Sequence, residues 1–200
     1  MSPLLPGVVA FAYLLGAVPF GVLIGRAFGG VDVRSGGSGN IGATNVARVA
    51  GKKLGVLTLL LDALKGFLPT LAMMLWVAPL APPFWRPYWI AGTGVAAFLG
   101  HCYPVYLKFR GGKGVATALG VLLALAPWAA LAGFAIYAFV FGVFRISSIG
   151  SLLAAAVVPV VVFLTAGATT GYFVLGMVAV VVWKHRGNIQ RIAHRTETKV

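Results

Sequence analysis

Acidic residues are almost missing from this chain: Asp32, Asp62 and Glu197 are the only three among 200 residues. That excludes a paired-carboxylate acid–base site. With three histidines and a single cysteine, no His/Cys/carboxylate cluster has metal-ligand spacing either. No metal or other cofactor is expected. Cys102 cannot form an intrachain disulfide, and an inert helix thiol is its default. Charge of any sign is scarce, at 10% of residues against about 25% in soluble domains. No Lys or Arg precedes the first apolar run, so it is a poor signal peptide and reads as a retained span. GxSxG is absent, which argues against a hydrolase nucleophile elbow. No internal repeat is visible, which argues against a transporter built from inverted repeats.

What the chain has instead is apolar residues, 60% of the total, in runs approaching 20 residues. It is therefore an all-α integral membrane protein, a single domain over residues 1–200 embedded in a lipid bilayer. The pattern predicts spans over Leu4 to Phe28 (with Pro19 inside), Leu54 to Ala78, Trp89 to Leu107, Ile149 to Thr165 and Tyr172 to Trp183. Val115 to Phe144 is the difficult stretch. As one helix it would be about 45 Å long, too long for a core of about 30 Å without strong tilt. Pro127 lies near its middle.

Sidedness chooses between one span and two. The net charge of +13 comes from 16 Lys and Arg. They lie in short loops beside spans, not in a continuous arm or an aromatic-studded groove. The positive-inside rule therefore accounts for them better than a nucleic-acid partner does. Arg26 to Lys53, Lys108 to Lys113 and Lys184 to Lys199 all belong in the cytoplasm. A single helix over Val115 to Phe144 would put the basic C-terminus outside. Two short helices, Val115 to Ala126 and Trp128 to Phe144, bring every basic segment inside. The expected fold is a seven-transmembrane-helix bundle, N-terminus outside and C-terminus cytoplasmic.

Two glycine-rich loops fall on the cytoplasmic side. "GGKGVAT", Gly111 to Thr117, is not a nucleotide P-loop. Gly114 follows Lys113 where Ser or Thr is required, and Leu107 stands where the first glycine belongs. Yet Gly111, Gly112 and Gly114 let backbone approach a ligand, and Lys113 adds charge. The helix that starts at Val115 points its N–H groups and positive dipole end at the same spot, with Thr117 one turn in. The second loop, "SGGSGNIGATNVAR", runs from Ser35 to Arg48. Asn40, Thr44 and Asn45 add donors of fixed geometry, and a helix starting near Ala43 presents Arg48 over its first turn. A flexible linker is Gly/Ser-rich too, but it seldom carries this polar diversity.

Ionisable residues inside spans are few. Asp62 and Lys65 share a helix face at i, i+3. Asp62 reads as half of a neutralised structural pair, while "KGFLP" could open the helix and let Lys65 reach a polar cavity. His101, near the cytoplasmic end of its span, can be an interhelical hydrogen-bonding group or act directly. In the C-terminal "KHRGNIQRIAHRTETK", His185, Asn188 and Arg191 form one polar stripe. Together these parts make a site rich in cations and donors at the cytoplasmic membrane surface. It suits two small anionic groups, one of them lipidic.

The three motifs together resemble the bacterial membrane acyltransferase family that moves an acyl chain from acyl phosphate to glycerol 3-phosphate. The resemblance rests on "GSGNIGATNVAR", "GHCYPVYLKFRGGKGVAT" and "HRGNIQR…E", with "DALKGFLP" between the first two, and spans Gly37 to Glu197. Arg195 stands where the family usually has Gly, and Tyr103 where it has Phe. The resemblance implies a seven-helix fold and a multi-pass protein of the bacterial inner membrane. The substrates would be glycerol 3-phosphate and a long-chain acyl phosphate, and the products 1-acylglycerol 3-phosphate and phosphate. It also implies contact with the soluble enzyme that makes acyl phosphate. The His-x4-Asp pair of soluble-type acyltransferases is absent: Tyr106, Gln190 and Lys199 occupy the relevant positions.

By resemblance, Ser38, Asn40, Thr44, Asn45 and Arg48 hold phosphoryl groups, and Gly111, Gly112, Lys113 and Gly114 cradle a substrate. Lys113 would also stabilise the leaving phosphate. Ser148, Thr117, Lys65, His101 and Arg191 are further candidate phosphate contacts, and Glu197 is structural. His185 and Asn188 would orient the glycerol hydroxyl. The base is either His185 or a phosphate oxygen of the acceptor.

Overall fold

Proline has no N–H and clashes with the preceding turn, so it kinks or breaks an α-helix. Pro19 accordingly divides the first apolar stretch into α1 (Leu4–Ala17) and α2 (Phe20–Gly29). The computed structural model describes residues 2–199, and all regular structure among them is helical. A loop leads to the short α3 (Ala43–Ala50), then α4 (Lys52–Ala72), which continues through a π turn over Met73–Val77. α5 spans Arg86–Cys102, α6 Val115–Leu125 and α7 Pro127–Phe144. Pro127 opens α7, and the chain breaks at Ala126 as the sequence predicts. At 11 residues, α6 is only about 16 Å long.

The last long stretch, α8 (Ser147–Lys184), contains Gly167 at φ 79°, ψ 171°, far from helical values. A β-carbon on Gly171 would lie 2.5 Å from the Phe163 ring, and the rings of Phe163 and Tyr172 meet at 5.4 Å. In one continuous helix, residues eight apart are about 12 Å apart along the axis. The chain therefore folds back at Gly167 into two segments, residues 147–166 and 168–184. α9 (Arg186–Ala193) follows.

Among the described residues, five helical stretches are long and apolar enough to cross a membrane: Leu4–Gly29, Lys52–Leu80, Pro83–Leu107, Pro127–Phe144 and Ser147–Lys184. Val115–Leu125 is a shorter apolar helix. Large apolar side chains such as Trp76, Trp128, Phe139 and Leu164 face outward, as lipid contact requires. Small residues bring the helices close. A β-carbon on Gly16 would collide with the Ala97 carbonyl, and one on Gly100 with the Tyr13 carbonyl, so α1 and α5 cross backbone against backbone. Gly120 does the same for α6 on α4, against the Ala63 carbonyl. Hydrogen bonds Thr44–Ser147, Lys113–Asn188 and Arg48–Thr198 gather the α2–α4 connection, the loop before α6, the start of α8 and the C-terminus at one end of the bundle.

Candidate active site

The loop before α3 is organised from within. Asn45 is buried in the first turn of α3 and spends its amide on loop backbone. Its Nδ2 donates to Val33 O (2.7 Å), Asn40 O (2.8 Å) and Gly36 O (3.2 Å), and its Oδ1 accepts from Ser38 N (2.7 Å). Asn45 thus builds the loop, where the sequence suggested a phosphate contact. Asp32 pins the other end through Arg34 (2.6 Å) and Arg26 (2.7 Å), and hydrogen bonds from Arg34, then Arg26, hold its carboxyl well below the usual range. So anchored, the loop exposes Ser38 and Asn40 to the site.

The second loop is packed onto the end of α5. A β-carbon on Gly112 would collide with His101 Nε2, one on Gly111 with the His101 carbonyl, and one on Gly114 with the Phe98 ring. Gly112 N–H also donates to His101 O at 3.1 Å, and Gly114 adopts φ +85°. The glycines are required first by this packing, a reason the motif alone did not reveal. Lys113 reaches α9, where its Nζ donates to Asn188 Oδ1 at 2.6 Å. Burial lowers the Lys113 pKa to about 8.

α9 and the chain end complete the site. His185 is buried, with Nδ1 2.8 Å from Val181 O. A carbonyl can only accept, so the ring proton sits on Nδ1 and Nε2 keeps its lone pair. Burial, then the Lys113 charge, lowers the His185 pKa to about 4, so the ring is neutral at pH 7. Glu197 collects three donors: Asn188 Nδ2 (2.5 Å), Ser148 Oγ (2.9 Å) and Arg191 Nε (2.7 Å). Burial alone would raise its pKa; those donors outweigh burial and hold the carboxyl below its ordinary value. Arg48 donates to Thr198 O at 3.1 Å, while its Nε is buried with no hydrogen-bond partner.

A cavity of about 1130 Å³ opens among these groups. Ser38, Arg48, Lys113, Asn188 and Arg191 line its polar end; Leu122, Ala129, Ala130, Phe134, Val158 and Val174 line the apolar end between helices. A smaller recess of about 320 Å³ adjoins it. There Lys184 and Arg186 join Ser38, Lys113, Asn188 and Arg191, and no Asp or Glu among the described residues lines the wall. Thr44 and Ser148 also reach the large cavity.

Two candidates lie elsewhere. Lys65 is buried at membrane depth, 2.7 Å from Asp62 Oδ1 and 2.8 Å from Val18 O, and lines neither cavity. Thr117 is buried in the α4–α6 crossing beside Gly66, and it too lines neither cavity. His101 reaches the large cavity, but its Nδ1 stands 3.5 Å from Asp62 Oδ1 and its other edge carries Gly112. Three residues were missed. Ser147 bonds Thr44 and Tyr137, both at 3.0 Å, and stands beside Ser148 in "RISSIGS". Tyr137 carries no sequence signal, being one aromatic in an apolar helix. Lys184 adjoins His185, and the sequence places it only in the basic C-terminal segment.

Residues 7–195 match the family model described as glycerol-3-phosphate acyltransferase. A protein of that name from Myxococcus xanthus is 55% identical over 96% of this chain and 97% of its own length. One from Anaeromyxobacter dehalogenans (strain 2CP-1) is 49% identical over the whole of both chains. The crystal structure of PlsY (YgiH), an integral membrane glycerol 3-phosphate acyltransferase, in its glycerol 3-phosphate form superposes with a TM-score of 0.89 at 39% identity, covering 98% of this chain and 95% of that one. Its lysophosphatidic acid form gives 0.87. The helical membrane bundle, the cation-rich mouth and these relatives agree: the chain is a membrane acyltransferase of the glycerol-3-phosphate acyltransferase family.

Proposed function

We propose that the chain transfers the acyl group of a long-chain acyl phosphate to the 1-hydroxyl of glycerol 3-phosphate, giving 1-acylglycerol 3-phosphate and inorganic phosphate. The observation that carries this reading is the shape of the large cavity. A cationic mouth continues into an apolar sleeve inside one space of about 1130 Å³, which suits an anionic head on a hydrocarbon tail. The forms of the PlsY crystal structures, glycerol 3-phosphate and lysophosphatidic acid, support the same acceptor and product.

The glycerol oxygen attacks the acyl carbonyl carbon, and the bond from that carbon to the phosphate oxygen breaks. Arg48, Ser38, Asn40, Thr44, Ser148 and Arg191 hold phosphoryl groups, and the free Arg48 Nε supports that role. Lys113 stabilises the charge that develops on departing phosphate. Asn188 and His185 orient the hydroxyl. With its pKa near 4, His185 is a weaker base than a phosphate monoester, whose second pKa is about 6. A substrate phosphate oxygen therefore takes the hydroxyl proton, and holding both substrates in line is most of the catalysis.

We also propose seven crossings of the bacterial inner membrane, N-terminus outside and site cytoplasmic. α1–α2 act as one crossing, α4 to α7 as four, and the two segments of α8 as two. Only an odd count places all the hydrogen-bonded loops and the C-terminus on one side. Cysteines at Ser38, Gly111 and Asn188 in a Cys102→Ala background should be labelled from the cytoplasm alone. For the reaction, purified protein should convert glycerol 3-phosphate with palmitoyl phosphate and not with palmitoyl-CoA. Turnover with the thioester, or none with the acyl phosphate, overturns the donor assignment.

A further inference from the structure

The reaction as drawn leaves Lys184 unused. It ends α8, where a lysine at a membrane boundary ordinarily snorkels outward to headgroups. Here it lines the small recess with Lys113, Asn188 and Arg191. Its Nζ stands 4.4 Å from the centroid of the Tyr103 ring. The backbone that carries that ring is held in place, since Tyr103 O accepts from Tyr13 Oη at 2.8 Å and Tyr103 N–H donates to Leu99 O at 2.7 Å. A cation–π contact orients an ammonium without neutralising it. Three other cations of this end are already compensated, Arg191 by Glu197 and both Arg26 and Arg34 by Asp32.

We propose that Lys184, seated on the Tyr103 ring, is a further phosphate-binding residue of this acyltransferase, supplying charge to a phosphoryl group held in the recess. The proposal rests on the reaction given above, in which both substrates carry phosphate. The shared chemistry is the phosphoryl oxygens, and the experiment separates the acceptor's from the donor's. Tyr103 is a positioning residue: it touches the ammonium and not the substrate.

The test uses the full chain in detergent, with initial rates measured while each substrate is varied in turn and inorganic phosphate added as inhibitor. A charge-assisted hydrogen bond lost at Lys184→Met corresponds to a KM about tenfold higher or more. A rise for glycerol 3-phosphate assigns the acceptor's phosphate, and a rise for acyl phosphate the donor's. Inhibition by inorganic phosphate should weaken in parallel. Lys184→Arg should restore KM to within about threefold, because a guanidinium also stacks on an aromatic ring. Tyr103→Phe should match the parent, and Tyr103→Leu should reproduce part of the KM rise. If Lys184→Met does not accumulate in the membrane, Tyr103→Leu carries the test on the same readings. Unchanged KM for both substrates with unchanged phosphate inhibition overturns the proposal. Calorimetric titration with inorganic phosphate gives a reading independent of turnover: equal affinity in parent and Lys184→Met also overturns it, whatever becomes of the acyl-phosphate reaction.

Discussion

Two lysines were candidates for the same job, and the structure treats them oppositely. Lys65 and Lys113 are both drawn out of water. Lys65 is spent: its ammonium lies between Asp62 and the Val18 carbonyl at the Pro19 break, with the Phe20 ring 5.6 Å away. Lys113 meets a neutral amide, Asn188, and faces the large cavity. A buried cation beside a carboxylate ties helices together. A buried cation beside an amide, in a wall of other donors, still needs an anion. The neighbour therefore decides the role, and spacing in sequence does not name the neighbour.

The largest effect should come from breaking the Lys65 pair. Asp62→Leu leaves a buried ammonium without its carboxylate, which costs about 3–5 kcal/mol. Accumulation and thermal stability in detergent should both fall sharply. Asp62→Leu combined with Lys65→Met removes both charges and should recover most of the stability, with kcat/KM within about tenfold of the parent on that argument. A stable but inactive double variant would put Lys65 back in the site and erase the contrast.

Next comes Lys113→Met, which gives up a hydrogen bond to an amide and should cost about 1 kcal/mol of stability. Its effect belongs to turnover. Loss of one preorganised contact to developing charge lowers kcat about 10²–10³-fold, with a smaller change in KM. A large KM rise with kcat intact would reduce Lys113 to a binding residue.

This contrast also marks how far the sequence could be read. Apolar runs and Pro127 located the helices, because length and a missing N–H act locally. The two segments flanking Gly167 were separable for the same reason. The break that Pro19 makes between Ala17 and Phe20 lay inside a run read as one span. The loops with Ser38, Arg48 and Lys113 were legible as an anion site from glycines and donors. What could not be read was pairing between distant segments: Lys65 with Val18, 47 positions away, or Lys113 with Asn188, 75 away. Gly112 is instructive here. Its lack of a β-carbon reads in the sequence as room for backbone to approach a ligand, yet the His101 ring claims that space. Loss of activity in Gly112→Ala would therefore report packing as readily as phosphate binding. Glu197 looked merely structural at the chain end; it proves to gather three of the site's donors.

The third prediction uses pH. The cation is the working form of Lys113, and kcat/KM reports the free enzyme. It should fall as pH rises through about 8, the value to which burial lowers this group, by tenfold per unit beyond it. Stability should move the other way. Between about 8 and the ordinary 10.5, the unfolded chain binds more protons at this position, so stability rises with pH. Lys113→Arg should carry the alkaline limb out of the window. A limb that stays would assign it to another group. His185, already neutral, should add no limb between pH 6 and 8 on the same reasoning.

The smallest effect concerns a cation that is neither spent nor used. Arg195 lies in the turn that returns the chain from α9 to Glu197, and its backbone is left-handed at φ 57°. Arg195 N–H donates to Ile192 O at 3.0 Å and Thr196 N–H to Arg191 O at 2.8 Å, closing the helix as a C-terminal cap does. Such a position favours glycine, since a β-carbon costs about 1–2 kcal/mol there. The family's usual glycine is thereby explained, and so is the tolerance of arginine: the side chain is exposed and only the backbone is strained. Arg195→Gly relieves that strain but frees the unfolded chain, so the net gain should be under about 1 kcal/mol. KM and kcat should not change, because Glu197 keeps Asn188, Ser148 and Arg191. Thermal unfolding in detergent, beside a kinetic assay, checks both halves. If KM for either phosphate rises, the Arg195 guanidinium must share the anion with Lys113, and the division between spent and available cations would have to be redrawn at the chain end.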